Sequence, residues 1–516
     1  MKAVTTAQIR QLDQRTIATG VPGAELMERA GAAVARTCAG LMRSHMARSV
    51  LLLAGKGNNG GDAIVAARHL ANMGCQPTLI LLCRRDELKG DPLRHFQRLT
   101  SGVHVFEMPG VKQMREIATE VQPVVVVDGL LGTGLTGVVR EPYASAISFI
   151  NELRRPVVAI DIPSGIDSDT GKVRGVCVHA DVTVTMGLPK IGLLQPSATD
   201  YVGRIEVADI GFPRQFVNEI KADVELISAG DVTPTFPARR HSAHKGDFGH
   251  LLIVAGSEGY TGAPVLCAHA AARSGVGLVT LAVPRAIYPI IAANCPPEIM
   301  PRPVDGVPDT TGFDAVAVGP GLGQHAETQN LSAVAEMVRE LIRRCRVPLV
   351  LDADALNALA RDLSVLKKAR APIVVTPHPG EMGRLIGKTA KAVQAHRWEI
   401  AKHFARKRGV VTVLKGAGTV VTDKSGKLWI NSTGNPGMAK GGMGDVLTGM
   451  IGAFLAQGLS PLDAARAGVF LHGSAGDIAC ERHGEQALLA SDLIASLGAA
   501  FAALDYAQVG WHTHST

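Results

Sequence analysis

The residues of this chain best suited to chemistry are aspartates placed where a glycine-rich run meets an apolar stretch. In STGNPGMAKGGMGDVLTGMIGAFL (432–455), glycines lead into Asp445 and an apolar helical pattern follows. Backbone amides of Gly442 to Gly444 would point at an anion, and a carboxylate at the helix start could take a proton from a hydroxyl beside it. That combination reads as a phosphoryl-transfer centre. An N-cap would also use an aspartate, but four glycines in the nine residues 436–444 have no evident packing purpose. Upstream, LKGAGTVVTD (414–423) has the strand end, lysine and turn of a nucleotide shelf, and GPGLG (319–323) and HPGE (378–381) end other apolar runs. His378 by itself reads as an ordinary loop histidine.

The first half has three comparable places. GKGNNGGD (55–62) sets four glycines between an apolar run and a helix predicted to begin near Asp62, so its amides can approach a phosphate. A ligand-free turn would look similar. VVVVDGLLGTGLTG (124–137) puts Asp128 before a second glycine-rich loop, and VVAIDIPSGIDSDTG (157–171) puts Asp161 before Pro163, Ser164 and Gly165. In a parallel sheet the carboxyl ends of the strands face one crevice, where Asn59, Asp128, Asp161 and Ser164 would converge. Each aspartate alone also fits a turn or cap.

The elements that must position these residues are legible as short, continuous runs of Val, Ile and Leu. SVLLLAG (49–55), PTLILLC (77–83), PVVVVDG (123–129) and PVVAIDIPSG (156–165) alternate with helical stretches, which predicts strands buried on both faces of a doubly wound α/β domain. A second, larger series comprises HLLIVAG (250–256), GLVTLAVP (277–284), FDAVAVGPGLG (313–323), PLVLDADALN (348–357), PIVVTPHPGE (372–381) and VVTVLKGAGT (410–419). Residues 211–240 mix proline and charge without periodicity, so a domain boundary is expected near residue 220. The terminal WHTHST (511–516) reads as a frayed tail, and its His512 and His514 as part of that tail rather than a metal site.

Composition removes other classes. A chain of 516 residues exceeds one ordinary core, and 46% hydrophobic with 19% charged residues excludes disorder. Lys and Arg number 53 against 46 Asp and Glu, a net charge of +7 that suits an anionic small molecule as well as nucleic acid. Arg343-Arg344-Cys345-Arg346 and Arg406-Lys407-Arg408 lack interleaved aromatics, so they read as solvated helix faces and nucleic acid is not an expected partner. The eight cysteines contain no CxxC pair, which predicts reduced thiols without structural zinc. No uncharged apolar run reaches the ~20 residues of a membrane helix, so a cytoplasmic protein is expected.

In their order, LMERAG (26–31), GKGNNGGD, DGLLGTGLTG and DIPSGIDSDTG resemble the N-terminal domain of the bifunctional NAD(P)H-hydrate repair enzyme family. GSEGYTGAP (256–264), GPGLG, DADALN, TPHPGE, KGAGT and GGMGD resemble its dehydratase half. The resemblance implies a Rossmann-like domain, residues 1–220, that epimerises hydrated NAD(P)H, and a ribokinase-like domain, residues 221–516, that dehydrates one epimer at the expense of ADP. In the first, Asn58, Asn59, Gly60, Gly61 and Asp62 would hold the hydrated nucleotide together with the loop Gly132, Thr133, Gly134, Leu135, Thr136, Gly137 and Val138. Asp161 would act at its ring, and Asn59, Asp128 and Ser164 would ligate potassium, a hard cation suited to oxygen donors.

For the second domain the resemblance implies that Lys415, Gly416, Ala417, Gly418, Thr419 and Gly444 hold the adenine nucleotide, with magnesium. Ala263, Gly323, His378 and Asp445 would meet the hydrate. Lys440 departs from the small Ser or Thr of the family pattern and puts the packing of that loop in question. The implied partners are NAD(P)H hydrates and ADP, in a homo-oligomer. The competing reading is a ribokinase-like small-molecule kinase fused to a Rossmann-like nucleotide-binding sensor domain, or to a binding module without catalysis.

Overall fold

The computed structural model describes residues 1–42, 47–236, 238–323 and 330–510. The terminal segment with His512 and His514 lies outside the described residues. The chain forms two compact units, Lys2–Val224 and Glu225 onward, and the expected α/β class holds for both.

The first unit has seven strands: β1 (Ser49–Ala54), β2 (Gln76–Leu81), β3 (His104–Glu107), β4 (Val125–Gly129), β5 (Val157–Ile160), β6 (Val182–Met186) and β7 (Arg204–Ala208). They pair in parallel in the order β3-β2-β1-β4-β5-β6-β7. Continuous apolar strands are required because both faces are covered. Val50, Leu52 and Ala54 of β1 enter one core, and Leu51 and Leu53 enter the other. Full burial of such a side chain contributes about 1.5–3 kcal/mol relative to exposure. Strand order reverses between β1 and β4, so the loops after these two strands open the crevice where ligands bind in such sheets.

Three helices of this unit matter for the site. Helix α1 (Thr6–Ala18) starts with a capping box, in which Gln8 N donates to Thr5 Oγ1 at 3.2 Å and Thr5 N to Gln8 Oε1 at 2.9 Å. Helix α2 (Gly23–Leu41) carries LMERAG and buries Leu26, Met27, Ala30 and Gly31. It packs on helix α3 (Asn58–Asn72), which follows β1.

The second unit holds a ten-stranded sheet: β8 (Val224–Leu226), β9 (His250–Val254), β10 (Leu278–Pro284), β11 (Ile299–Val304), β12 (Ala315–Val318), β13 (Leu349–Leu351), β14 (Ile373–Val375), β15 (Val411–Leu414), β16 (Thr419–Thr422) and β17 (Leu428–Asn431). The order is β11-β10-β9-β12-β13-β14-β15-β16-β17-β8, parallel from β11 to β15 and antiparallel through β16 and β17. Its reversal lies between β9 and β12. The Met443–Ala456 helix belongs to the same core, with Val446, Met450, Ile451 and Phe454 fully buried beside Leu251, Ile253 and Ala317 of the strands. Among the described residues no helix is long and apolar enough to cross a membrane.

Candidate functional site

In the first unit, the loop after β1 differs from its sequence-based expectation. The helix starts at Asn58, not near Asp62, with Gly57 as N-cap, so Gly60 and Gly61 lie inside its first turns. The reason is contact rather than flexibility: a Cβ on Gly60 would lie 1.7 Å from the Gly55 carbonyl oxygen. Close packing of the helix on the strand end carries Asn59 and Asp62 into the crevice, both buried, and leaves Asn58 exposed.

Asn59 ties the loops together, its Nδ2 donating to the carbonyls of Leu131 at 3.1 Å and Ile160 at 2.8 Å. Its Oδ1 faces Gly132, where a Cβ would lie 2.9 Å away. Asp128 and Ser164, both wholly buried, are bound to each other. Ser164 N donates to Asp128 Oδ2 at 2.8 Å and Ser164 Oγ to Asp128 Oδ1 at 2.6 Å, while Leu131 N donates to Ser164 Oγ at 2.8 Å. Burial raises the Asp128 carboxyl to about 6, against the hydrogen bonds of Ser164 and Leu130. A buried carboxylate with neutral donors alone, beside hydroxyl and amide oxygens, is a donor set that fits a potassium-sized cation. The three expected ligands are thus brought together. Of the second glycine loop, Gly132 meets Asn59, whereas Thr136, Gly137 and Val138 lie on its exposed outer part.

Asp161 stands at φ +64°, a left-handed conformation costly for a side chain and concentrated at functional sites. Its Oδ1 accepts from Met186 N at 3.1 Å, from Thr185 Oγ1 at 3.3 Å and from the ammonium of Lys190. Lys190 is 1% exposed and also donates to Thr185 Oγ1 at 3.2 Å and to the Met186 carbonyl at 3.1 Å. Sequence reasoning missed it. The available signal was a single lysine in the otherwise apolar GLPKIGLL (187–194) directly after β6. Two more carboxyls feel this pair. Asp62 is pushed well above the usual carboxylate range by burial and then by the Asp161 charge. Asp13, also unforeseen, is raised to about 6 by burial, with Lys190 opposing and Asp161 adding.

In the second unit, the ends of β13, β14 and β15 meet the start of the Met443–Ala456 helix. Lys415 Nζ lies 2.6 Å from Asp352 Oδ1 and 3.8 Å from Glu381 Oε2. Thr448 Oγ1 donates to Asp352 Oδ2 at 2.7 Å. Gly442, the N-cap, has φ +91°, and a Cβ on Gly444 would lie 3.2 Å from Lys415 Nζ. Asp445 therefore begins a helix whose first turn already faces a lysine and two carboxylates. Burial, with the Asp352 charge adding and Lys415 opposing, lifts its carboxyl to about 7, where a general base works best near neutral pH. Burial disfavours the charge of Lys415, but Asp352 and Glu381 outweigh it and hold the amine above its usual range.

The surrounding loops complete the cleft. Gly323 N donates to Asp354 Oδ2 at 2.8 Å, Gly256 N to the Pro320 carbonyl at 2.9 Å and Ser257 Oγ to the Gly321 carbonyl at 2.8 Å. Across the reversal of strand order, the GSEGYTGAP and GPGLG loops are thus stitched together, and Gly321 packs on Ala263. His378 caps the Pro379–Ile386 helix, its Nδ1 accepting from Gly380 N at 3.0 Å, and remains half exposed. The Lys415–Thr419 turn rests on Arg397, which was not foreseen. Buried at 3% exposure, it donates to the carbonyls of Leu414 at 2.9 Å and Lys415 at 3.2 Å. Lys440 is exposed and its ammonium donates to the Gln486 carbonyl, so the departure from the family pattern faces outward.

Two clefts at the carboxyl ends of parallel strands, one with a buried lysine–carboxylate cluster and one with a helix-borne aspartate beside a glycine-rich turn, define a two-domain α/β nucleotide-processing enzyme. A family model described as NAD(P)H-hydrate dehydratase matches residues 251–498, and one described as YjeF-related protein N-terminus matches residues 23–192. The chain is 41% identical over 513 residues to the bifunctional NAD(P)H-hydrate repair enzyme of Moorella thermoacetica, covering 96% of this chain and 95% of that one. Against the enzyme of the same description from Escherichia coli the identity is 37% over 477 residues, covering 92% and 88%. A solved ADP/ATP-dependent NAD(P)H-hydrate dehydratase from Bacillus subtilis, co-crystallised with ATP/Mg2+, is 33% identical, covers 55% of this chain and 99% of that one, and has a TM-score of 0.48. The chain belongs to the bifunctional NAD(P)H-hydrate repair enzyme family.

Proposed function

We propose that the first unit interconverts the two epimers of hydrated NAD(P)H and the second dehydrates one of them, consuming ADP. The observation that carries the second half is Asp445, a carboxyl raised to about 7 in the first turn of a helix beside Lys415. The hydrate bears a hydroxyl on ring carbon 6, next to nitrogen 1, and hydroxide is a poor leaving group. Asp445 takes the hydroxyl proton, the oxygen attacks the terminal phosphate of the nucleotide, and amides of Gly442 to Gly444 meet the charge on the transferring group. The nitrogen lone pair then expels phosphate and loss of a ring proton restores the dihydropyridine. Lys415 places one positive charge near Gly444, where the phosphates would lie, and the Arg397-braced turn through Thr419 would seat the adenine nucleotide. Glu381 is buried and accepts from His378 N at 2.7 Å, so it braces the cleft, and magnesium arriving with the nucleotide would neutralise phosphate charge when bound.

In the first unit, Asp161 and Lys190 form a proton-handling pair at the strand end, which supports catalysis there over a sensing role. Asn59, Asp128 and Ser164 would hold potassium, which when bound supplies the counter-charge that buried Asp128 lacks. Asp161 would exchange protons with the substrate while the bond between nitrogen 1 and carbon 6 opens and recloses.

The test is incubation of the protein with mixed hydrate epimers, with and without ADP, following the absorbance of restored NADH. Full restoration with nucleotide and none without it is expected. Consumption of nucleotide without NADH would favour a small-molecule kinase instead.

A further inference from the structure

We infer that Asp13, on helix α1, is a second proton-transfer residue of the first unit's site, working with the Asp161–Lys190 pair. The inference rests on the reading of that unit as an epimerase. Helix α1 precedes the residues 23–192 that the family model matches. Yet the chain anchors it across the cleft. Just before α1, Val4 pairs with the Lys190 segment, Val4 N donating to the Pro189 carbonyl at 2.9 Å and Ile191 N to the Val4 carbonyl at 3.0 Å. At the helix start, Thr6 N donates to Asp169 Oδ1 at 2.7 Å, in the loop beyond Ser164. One turn before Asp13, Arg10 donates to the Thr133 carbonyl at 3.1 Å, in the loop expected to hold substrate. Helix α1 and the residues leading into it therefore touch the loops that follow β4, β5 and β6.

Asp13 is half-buried on the side of this helix that carries Ile9 and Thr16, four residues after the first and three before the second, both of which are buried. A carboxylate there would normally be paired, because leaving it bare costs free energy. The Asp13 carboxylate has no hydrogen bond or ion pair among the described residues. The charged groups bearing on it are Lys190, Asp161 and Asp62. On the neighbouring Arg214–Glu219 helix, Glu219 is engaged by Arg15 at 2.8 Å. Asp13 is thus an unengaged carboxyl within electrostatic reach of the Asp161–Lys190 pair.

Epimerisation needs two such groups. As the ring opens, the hydroxyl proton on carbon 6 goes to the Asp161 carboxylate and the oxygen electrons form the carbonyl. The electrons of the nitrogen 1–carbon 6 bond move to nitrogen, which takes a proton from the Asp13 carboxyl. After the aldehyde rotates, nitrogen attacks its other face, its proton returns to Asp13, and Asp161 returns its proton to oxygen. Nothing is oxidised and both residues end as they began. Burial raises Asp13 to about 6, so near neutral pH it samples both protonation states. Asp62 bears on the same pair and is pushed well above the usual carboxylate range by burial, with the Asp161 charge adding.

The experiment uses the full chain, one purified epimer of hydrated NADH and no nucleotide, with interconversion followed by chromatography between about pH 5 and 9. Asp13→Asn is expected to slow exchange by about 10²–10⁴-fold and remove the inflection near pH 6. KM should hold, and Asp13→Glu should recover part of the rate. ADP-dependent restoration of NADH from the reactive epimer, a property of the other unit, verifies each preparation. Wild-type rate and pH profile in Asp13→Asn would overturn the proposal. So would equal loss in both variants with a raised KM, the signature of a packing role. If the wild-type protein fails to exchange epimers, the epimerase reading itself fails.

Discussion

Lys415 Nζ lies 2.6 Å from Asp352 Oδ1, and the other oxygen of that carboxylate is held by Thr448 at 2.7 Å. Asp352 is 1% exposed and fully engaged, so it is an anchor rather than a free base. Its charge nevertheless raises the Asp445 carboxyl, while Lys415 acts in the opposite sense. Burial raises the Asp445 carboxyl, and an ion pair whose two charges act on it in opposite senses tunes the result.

Asp445→Asn should lower the dehydration rate by about 10²–10⁴-fold, the usual contribution of a general base, and leave nucleotide binding largely intact. The base works when deprotonated, so in the parent enzyme kcat/KM should rise with pH through about 7 and then level off. A pH–rate profile and nucleotide titration of the variant check both. Undiminished turnover in Asp445→Asn would remove the assignment.

Lys415→Met removes the charge that lowers the Asp445 carboxyl, so the rising limb should move to higher pH. Asp352→Asn removes a charge that raises it, so the limb should move to lower pH. Lys415→Met should also lower the melting temperature of the second unit, because stranding a buried carboxylate costs on the order of 3–5 kcal/mol. Identical profiles in all three proteins would show that the pair does not tune the base.

The legibility of these sites in the sequence follows from which interactions are local. Strands β1, β2, β4 and β5 and the six named in the second half are buried on both faces and appear as apolar runs. By contrast β3 has exposed ends and β7 begins with an exposed arginine, so neither forms such a run. Asp128, Asp161 and Asp445 end or follow apolar runs at glycine-rich turns and were visible for that reason. Lys190 and Arg397 were not. The carboxylate that pairs with Lys190 lies 29 residues away and the strand-end carbonyls that hold Arg397 17 or more, and a lone base in an apolar or helical segment carries no local mark of burial. The start of α3 is not legible because glycines in sequence favour a loop, whereas Gly60 serves a contact with Gly55 that only the fold reveals.

Potassium should stabilise the first unit if Asn59, Asp128 and Ser164 bind it, because a ligand that binds only the folded state raises stability by mass action. The expected result is a higher melting temperature in potassium chloride than in tetramethylammonium chloride at equal ionic strength, with the difference lost in Asp128→Asn. Epimer exchange should follow the same order. Equal melting in both salts would leave the nest without an ion.

The two activities should separate when the chain is cut between Ile220 and Lys221, which keeps β8 with its own ten-stranded sheet. Each unit has its own sheet and its own buried core, which is what independent folding requires. The fragment 1–220 should interconvert the epimers without nucleotide. The fragment from Lys221 onward should repair one epimer only, slowing sharply once that part of a mixture is consumed and recovering when the first fragment is added. The reason is stereochemical: a base fixed on the Met443–Ala456 helix and a phosphate fixed by its first-turn amides meet one orientation of the hydroxyl, whereas ring opening erases that orientation. Equal rates for both epimers with the second fragment alone would mean that the cleft around Asp445 accepts either face, and the Asp161–Lys190 cluster would then need another substrate.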